Sequence, residues 1–283
     1  MNSMGDSGYK LNEFLEKGKQ TMPVIENHLR KKLEADELAI GFGVMHTRGM
    51  NIPGIAQECD FDWLFIDMEH STMGVDAAAQ MSIAALPTNV TALVRVPAHE
   101  RFHASRVLDG GAMGVVVPHV DTVEEARAVV DACRFPPLGH RSLTAPSAQL
   151  GFATYPTDKA IEILNRNIFV VAMLESPTAI ENADAIAAVE GIDALLIGSN
   201  DLAAEMGIPG QLADERITAA FATMVAATKK HGKFAGMGGI YDPAHMAKII
   251  NLGVRLVLAG GDVAFMMAAA KKRSEALRAI KLR

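Results

Sequence analysis

The 283-residue sequence predicts an α/β fold of the (β/α)8 TIM-barrel class. The main observation is a repeat: from residue 38 onward, a short apolar run, a polar or glycine-rich turn and a longer amphipathic segment recur in sequence. Composition agrees, because hydrophobic residues make up 49% of the chain and aromatics only 5%, so that Ala, Val, Ile, Leu and Met dominate, as they do where helices pack on a parallel sheet. A doubly wound dinucleotide fold is disfavoured. Its G-x-G-x-x-G is reduced to "GFGVMH", in which Gly41 and Gly43 are present but His46 stands in the third glycine's place.

Residues 1–36 form an N-terminal extension, in which 11–35 mix apolar and charged residues at helical spacing interrupted by Pro23 and predict one or two helices. Residues 37–283 form the barrel domain. Its strands are predicted at 38–45, 61–67, 92–97, 114–120, 168–174, 194–198, 234–238 and 256–260, several of them rich in Val and Ile. The helices between them include "TVEEARAVVDACR", "SPTAIENADAIAAVE", "DERITAAFATMVAATKKHG" and "DPAHMAKIINLG", which open on Thr, Ser or Asp as N-caps do. Residues 138–166 lack a clean period and predict a long loop on the functional face.

A net charge of −6 and a pI near 5.9 argue against a nucleic-acid partner. The two cysteines, Cys59 and Cys133, form no C-x-x-C, which suits a reduced cytoplasmic protein. "MNSMGDSGYK" has no apolar signal core, and no run is apolar enough to span a bilayer, so no membrane partner is expected.

Catalytic residues of such barrels stand at the C-terminal ends of the strands. The first run leads to His46, the second to Asp67, Glu69 and His70, the third carries Arg95 and the fourth His119. Glu175 follows the fifth and Asp201 the sixth, and two carboxylates converging on one mouth would repel unless a hard divalent cation joined them. The competing reading is that each only caps the helix after it. Arg95, between apolar neighbours in "LVRVP", needs a partner: either a structural ion pair with Asp67 or Glu69, or a substrate oxyanion. His70, beside carboxylates at a strand end, is suited to acid/base work, though a satisfied structural histidine is the commoner case.

"HERFH", 99–103, satisfies the H-E-x-x-H zinc motif, but Arg106 and Asp109 occupy the positions of its extended form, and 100–109 is predicted as an outer helix. A Schiff-base aldolase would need a lysine on a strand, and none qualifies, so carbonyl chemistry here calls for a metal as electron sink. No G-x-S-x-G is present.

With these residues in view, "FDWLFIDMEH", "LVRVP", "RVLDGGAMGVVVPHV", "RFPPLGHRS", "AMLESPTA" and "LLIGSNDLAAEMG" resemble, in order and spacing, the HpcH/HpaI aldolase family of metal-dependent pyruvate aldolases, over about 38–275. The resemblance implies Glu175 and Asp201 as ligands of a divalent metal, Mg2+ or Mn2+ with Co2+ also admissible. It implies His70 as acid/base residue, Arg95 as enolate stabiliser and Glu69 as a carboxylate close behind the metal. Gly198, Ser199 and Asn200 would receive the substrate carboxylate at a helix start. Asp67 is expected to orient His70 or Arg95.

Asp109 matches the family's histidine-partnering aspartate but falls at the wrong end of its helix, which implies that it serves a neighbouring subunit of a homo-oligomer, trimer or hexamer, with the last helix, about 262–280, exchanged between subunits. Gly43 replaces a usual aromatic, Gly198-Ser199 a usual Gly-Pro, and "GHRS" the commoner G-x-R-G; with "MEHS" and "VVPHV" these place the chain near the branch containing macrophomate synthase. The expected reaction is cleavage of a 4-hydroxy-2-oxo acid to pyruvate and an aldehyde. The alternatives are oxaloacetate decarboxylation at the same enolate site and, in another class, a non-catalytic barrel that binds a small anion.

Overall fold

The computed structural model describes residues 24–97, 101–144 and 147–282. Eight parallel strands close into a barrel in chain order. They are β1 (Ala39–Val44), β2 (Trp63–Asp67), β3 (Thr91–Arg95), β4 (Gly114–Val117), β5 (Phe169–Leu174), β6 (Ala194–Gly198), β7 (Phe234–Gly238) and β8 (Leu256–Gly261). All eight predicted runs are therefore strands, and helices follow them on the outside.

Strand periodicity divides the core in two. Leu64, Ile66, Val94, Val115, Val170, Leu195 and Ile197 face the helices, whereas Trp63, Phe65, Leu93, Val116, Phe169, Val171, Met173, Leu196 and Leu258 fill the barrel. The helix His28–Glu34 closes the bottom, with Leu29 and Leu33 joining the interior cluster. Asn27 fixes it there: its side chain accepts from Arg30 N and donates to the Asn167 carbonyl at 2.7 Å.

Two helical predictions need correction. The stretch 138–166 is not all loop: it holds a 3-10 turn, Ala148–Leu150, and a helix, Thr157–Asn167. Ala160, Ile161, Ile163 and buried Leu164 give that helix an apolar face, but Pro156 rather than a Ser, Thr or Asp precedes it, so no capping signal marked its start. "SPTAIENADAIAAVE" forms two short helices, Pro177–Glu181 and Ala183–Ala187, broken at Asn182, whose Nδ2 donates to the Asp121 carbonyl. The helix Arg101–Asp109 lies where an outer helix was expected, while His99 and Glu100 of "HERFH" lie outside the described residues.

The last helix, Asp262–Arg278, touches its own barrel through its first turn, where Phe265 packs on Phe42 and Phe61 at 5.3 and 5.9 Å between ring centres. It is exposed from Phe265 to its end, and its apolar Met266, Met267 and Leu277 face outward. Among the described residues, no helix is long and apolar enough to cross a membrane.

Candidate active site

The inward register that builds the core also selects the chemistry. On β2 it runs Trp63, Phe65, Asp67; on β3, Leu93 and Arg95; on β5, Phe169, Val171, Met173 and then Glu175 just past the strand end. At the same level β1, β6, β7 and β8 present Gly43, Gly198, Gly238 and Gly260. Charge therefore enters the barrel where the core ends, at the mouth of a cavity of about 760 Å³. Asp67, His70, Arg95, Glu175, Gly198, Ser199, Asn200 and Asp201 all line it.

Asp67 organises one side. Its fully buried carboxylate takes Arg95 in a bidentate pair, Nε–Oδ1 2.9 Å and Nη2–Oδ2 2.6 Å. The same Oδ1 accepts the backbone N–H of Glu69 and His70 at 3.0 and 3.3 Å. One aspartate thus sets the guanidinium and the turn that carries the imidazole. Arg95 Nη1 reaches Glu69 Oε2 at 3.0 Å, and His70 Nε2 stands 3.7 Å from that oxygen. Burial opposes the Arg95 charge, but Asp67, with Glu69 and Glu175 beyond it, outweighs burial and raises its pKa. Of the guanidinium's five N–H donors, two bond Asp67, and the group lines the cavity with Nη1 beside Glu69. The His70 ring is half exposed at the rim.

Glu175 forms the other side. It is 1% exposed, and its Oε2 accepts the His119 N–H at 3.0 Å. His119 takes a left-handed φ of 51° to aim that N–H, a conformation uncommon outside glycine. Gly198 is required here, since a Cβ would lie 2.4 Å from Glu175 Oε1. Burial pushes the Glu175 carboxyl up to about 7; the Asp201 charge adds to this, while the His119 N–H and charge and Arg95 oppose it. Glu175 and Asp201 thus repel one another across the cavity, and both offer hard oxygen donors. They fit a divalent cation that keeps open positions for substrate. Among the described residues no group of three or more His, Cys, Asp or Glu is placed to hold a metal ion, so the protein's share of the ligands would be these two carboxylates.

Two residues of the mouth escaped sequence reasoning. Asp262, after β8, accepts N–H from His46 and Thr47 at 2.9 and 2.8 Å and the Thr47 hydroxyl at 2.9 Å, pinning the β1 loop. Burial would raise its pKa, but the N–H groups of Thr47, His46 and Val263 prevail and lower it. Its only sequence signal was its place after "AGG" at a strand end. Tyr241 overhangs the cavity from the β7 loop, and burial raises its phenol pKa.

Asp109 is not brought to this mouth. It ends its helix five residues before β4 begins at Gly114, at the opposite end of the barrel, and there pairs with buried Arg141 Nη2 at 2.7 Å. Another cavity at that end, about 770 Å³, is bordered by His28, Arg30, Lys31 and Arg166. Its Arg30 pairs with Asp193 and its Lys31 with Glu26, so both cations are engaged within the protein.

The family model described as HpcH/HpaI aldolase/citrate lyase matches residues 50–268. A 4-hydroxy-4-methyl-2-oxoglutarate aldolase of Hapsidospora irregularis is 38% identical over 92% of this chain and 98% of its own length. Another enzyme of that name, from Chaetomium globosum, is 38% identical over 83% of this chain and 89% of its own. The crystal structure of an HpcH/HpaI aldolase from Desulfitobacterium hafniense superposes with a TM-score of 0.84 at 29% identity, covering 89% of this chain and 97% of that one.

Proposed function

Because the chain belongs to the HpcH/HpaI aldolase/citrate lyase family, we propose that it is a divalent-metal-dependent carbon–carbon lyase that releases pyruvate from a 4-hydroxy-2-oxo acid. The observation that carries this reading is the convergence, in one cavity, of the Glu175–Asp201 carboxylates with an Arg95 locked by Asp67. The names of the two fungal relatives favour 4-hydroxy-4-methyl-2-oxoglutarate as substrate. Its cleavage gives two pyruvates, so the second product is a ketone rather than the aldehyde expected for C4-unbranched acids.

Glu175 and Asp201 would hold a divalent cation, of which Mg2+ and Mn2+ suit the donors, and the cation would supply Lewis acidity to the 2-oxo acid. The N–H groups of Ser199 to Asp201 and the Asn200 side chain orient the substrate carboxylate. His70, at the rim, takes the C4 hydroxyl proton; the C3–C4 pair then moves into the enolate of pyruvate, and a proton returns to C3. Arg95, held by Asp67, would direct donors left free by that pair at the enolate oxygen. Glu69 steadies both Arg95 and His70.

The direct test is pyruvate release from 4-hydroxy-4-methyl-2-oxoglutarate, lost on chelation and restored by Mg2+ or Mn2+. His70→Ala is expected to lower kcat by about 10²–10⁴ with little change in KM. Wild-type protein that is fully active after exhaustive chelation would sink the metal-dependent reading.

Assembly belongs to the same proposal. The outward apolar helix Asp262–Arg278 supports exchange between copies, and an oligomer would let Asp109 reach a neighbour's His70. Light scattering should give a trimer or hexamer, and a fully active monomer would refute this. Cys59 and Cys133 are both free, as suits the reducing cytoplasm in which we place the enzyme.

A further inference from the structure

Six glycines line the mouth: Gly43, Gly198, Gly238, Gly239, Gly260 and Gly261. Four have a structural cause. A Cβ on Gly43 would lie 2.8 Å from the Gly260 carbonyl oxygen, and one on Gly198 would strike Glu175. Gly239 and Gly260 have φ of +92° and +149°, which side chains rarely adopt.

The other two have none. Gly238 continues the inward register of β7, and a Cβ there would meet Leu258 and Leu196 at an ordinary 3.6–3.9 Å. Gly261 has extended φ −133° and ψ 161°, and its Cβ would meet only the Gly43 carbonyl oxygen, at 3.7 Å. The backbone would accept alanine at both positions. What glycine preserves there is open volume in the cavity.

That volume is on a definite side. In a closed eight-strand barrel β7 stands opposite β3, so Gly238 faces Arg95 across the mouth. The charged groups that would hold the pyruvate half come from β2, β3, β5 and the loop after β6. The β7–β8–β1 wall offers glycines and the apolar Leu258 and Phe265 beside Tyr241, and its Asp262 carboxylate is taken up by the His46 and Thr47 N–H groups. A substrate held by its 2-oxo acid end at the charged wall extends C4 toward this recess.

We propose that Gly238 and Gly261 are specificity-determining residues, which keep the recess wide enough for a fully substituted C4 and so admit tertiary 4-hydroxy-2-oxo acids, whose cleavage product is a ketone. The inference rests on the lyase reading above. A methyl added to the protein then competes for space with a methyl carried by the substrate. One methyl in a tight pocket is worth about 10–200-fold in discrimination.

The experiment compares kcat/KM for 4-hydroxy-4-methyl-2-oxoglutarate with that for the same acid lacking the C4 methyl, in wild type, Gly238→Ala and Gly261→Ala. Exchange of pyruvate methyl protons with deuterated water, which uses only the enolate half, is followed in parallel, as is the thermal midpoint. In each variant the methylated-to-unmethylated ratio is expected to fall at least about tenfold. Equal losses on the two acids, or an unchanged ratio in both variants, would overturn the proposal. If one variant fails to fold, the other decides. Wild type that exchanges pyruvate protons yet cleaves neither acid would instead reject the lyase reading, so the two failures are distinguishable.

Discussion

Glu175→Gln is expected to abolish divalent-metal binding and to lower kcat/KM for pyruvate release by about 10³-fold or more, because it removes one of the two carboxylates proposed to hold the cation, together with its charge. The same substitution stabilises the metal-free protein, and the sign follows from its protonation. In the fold the carboxyl titrates near 7, against 4.5 as its ordinary value. Between those values the folded state holds more protons than the unfolded one, so stability falls as pH rises and levels off above about 7. The Gln variant escapes that loss. Its side-chain oxygen can still accept the His119 N–H, so without metal it should exceed wild type at pH 8 by on the order of 1–3 kcal/mol. The difference should vanish toward pH 4. Calorimetric titration with Mn2+ and denaturant melts at the two pH values read both effects. A Gln variant that is less stable than wild type at pH 8 would show that Glu175 is a structural anchor first.

This double character explains what the sequence could and could not disclose. The barrel was legible because apolar runs return at regular spacing, and the candidate site because the inward registers of β2, β3 and β5 lead to Asp67, Arg95 and Glu175. Trp63, Phe65 and Asp67 show it most plainly: the register that buries the first two delivers the third to the mouth. What the sequence withheld depends on contacts between distant elements. Asp262 matters through the N–H groups of His46 and Thr47, more than 200 residues away, and no local pattern records that. The helix Thr157–Asn167 stayed hidden because no capping side chain announces it, Pro156 standing before it, although Ala160, Ile161, Ile163 and Leu164 do form one apolar face. Sequence left Arg95 open between a structural ion pair and an oxyanion holder; the structure contains the ion pair with Asp67, and that pair would also aim the guanidinium in the enolate-holding role proposed above.

That union makes the Arg95 prediction the sharper one. Arg95→Met alone leaves Asp67 fully buried without its cation, and removing one partner of such a pair costs about 3–5 kcal/mol. Activity should fall by about 10²–10³ through loss of the donors facing the enolate, but a loss of folded protein would mimic that. The double variant Asp67→Asn with Arg95→Met separates them. With the buried charge gone, an amide can still accept the Glu69 and His70 N–H groups, so most of the stability should return. Catalysis should not return, because no donor is restored at the enolate. Denaturant melts beside kcat/KM for the two variants test this. If activity recovered along with stability, Arg95 would be a scaffold for the His70 turn, and the enolate charge would need another partner.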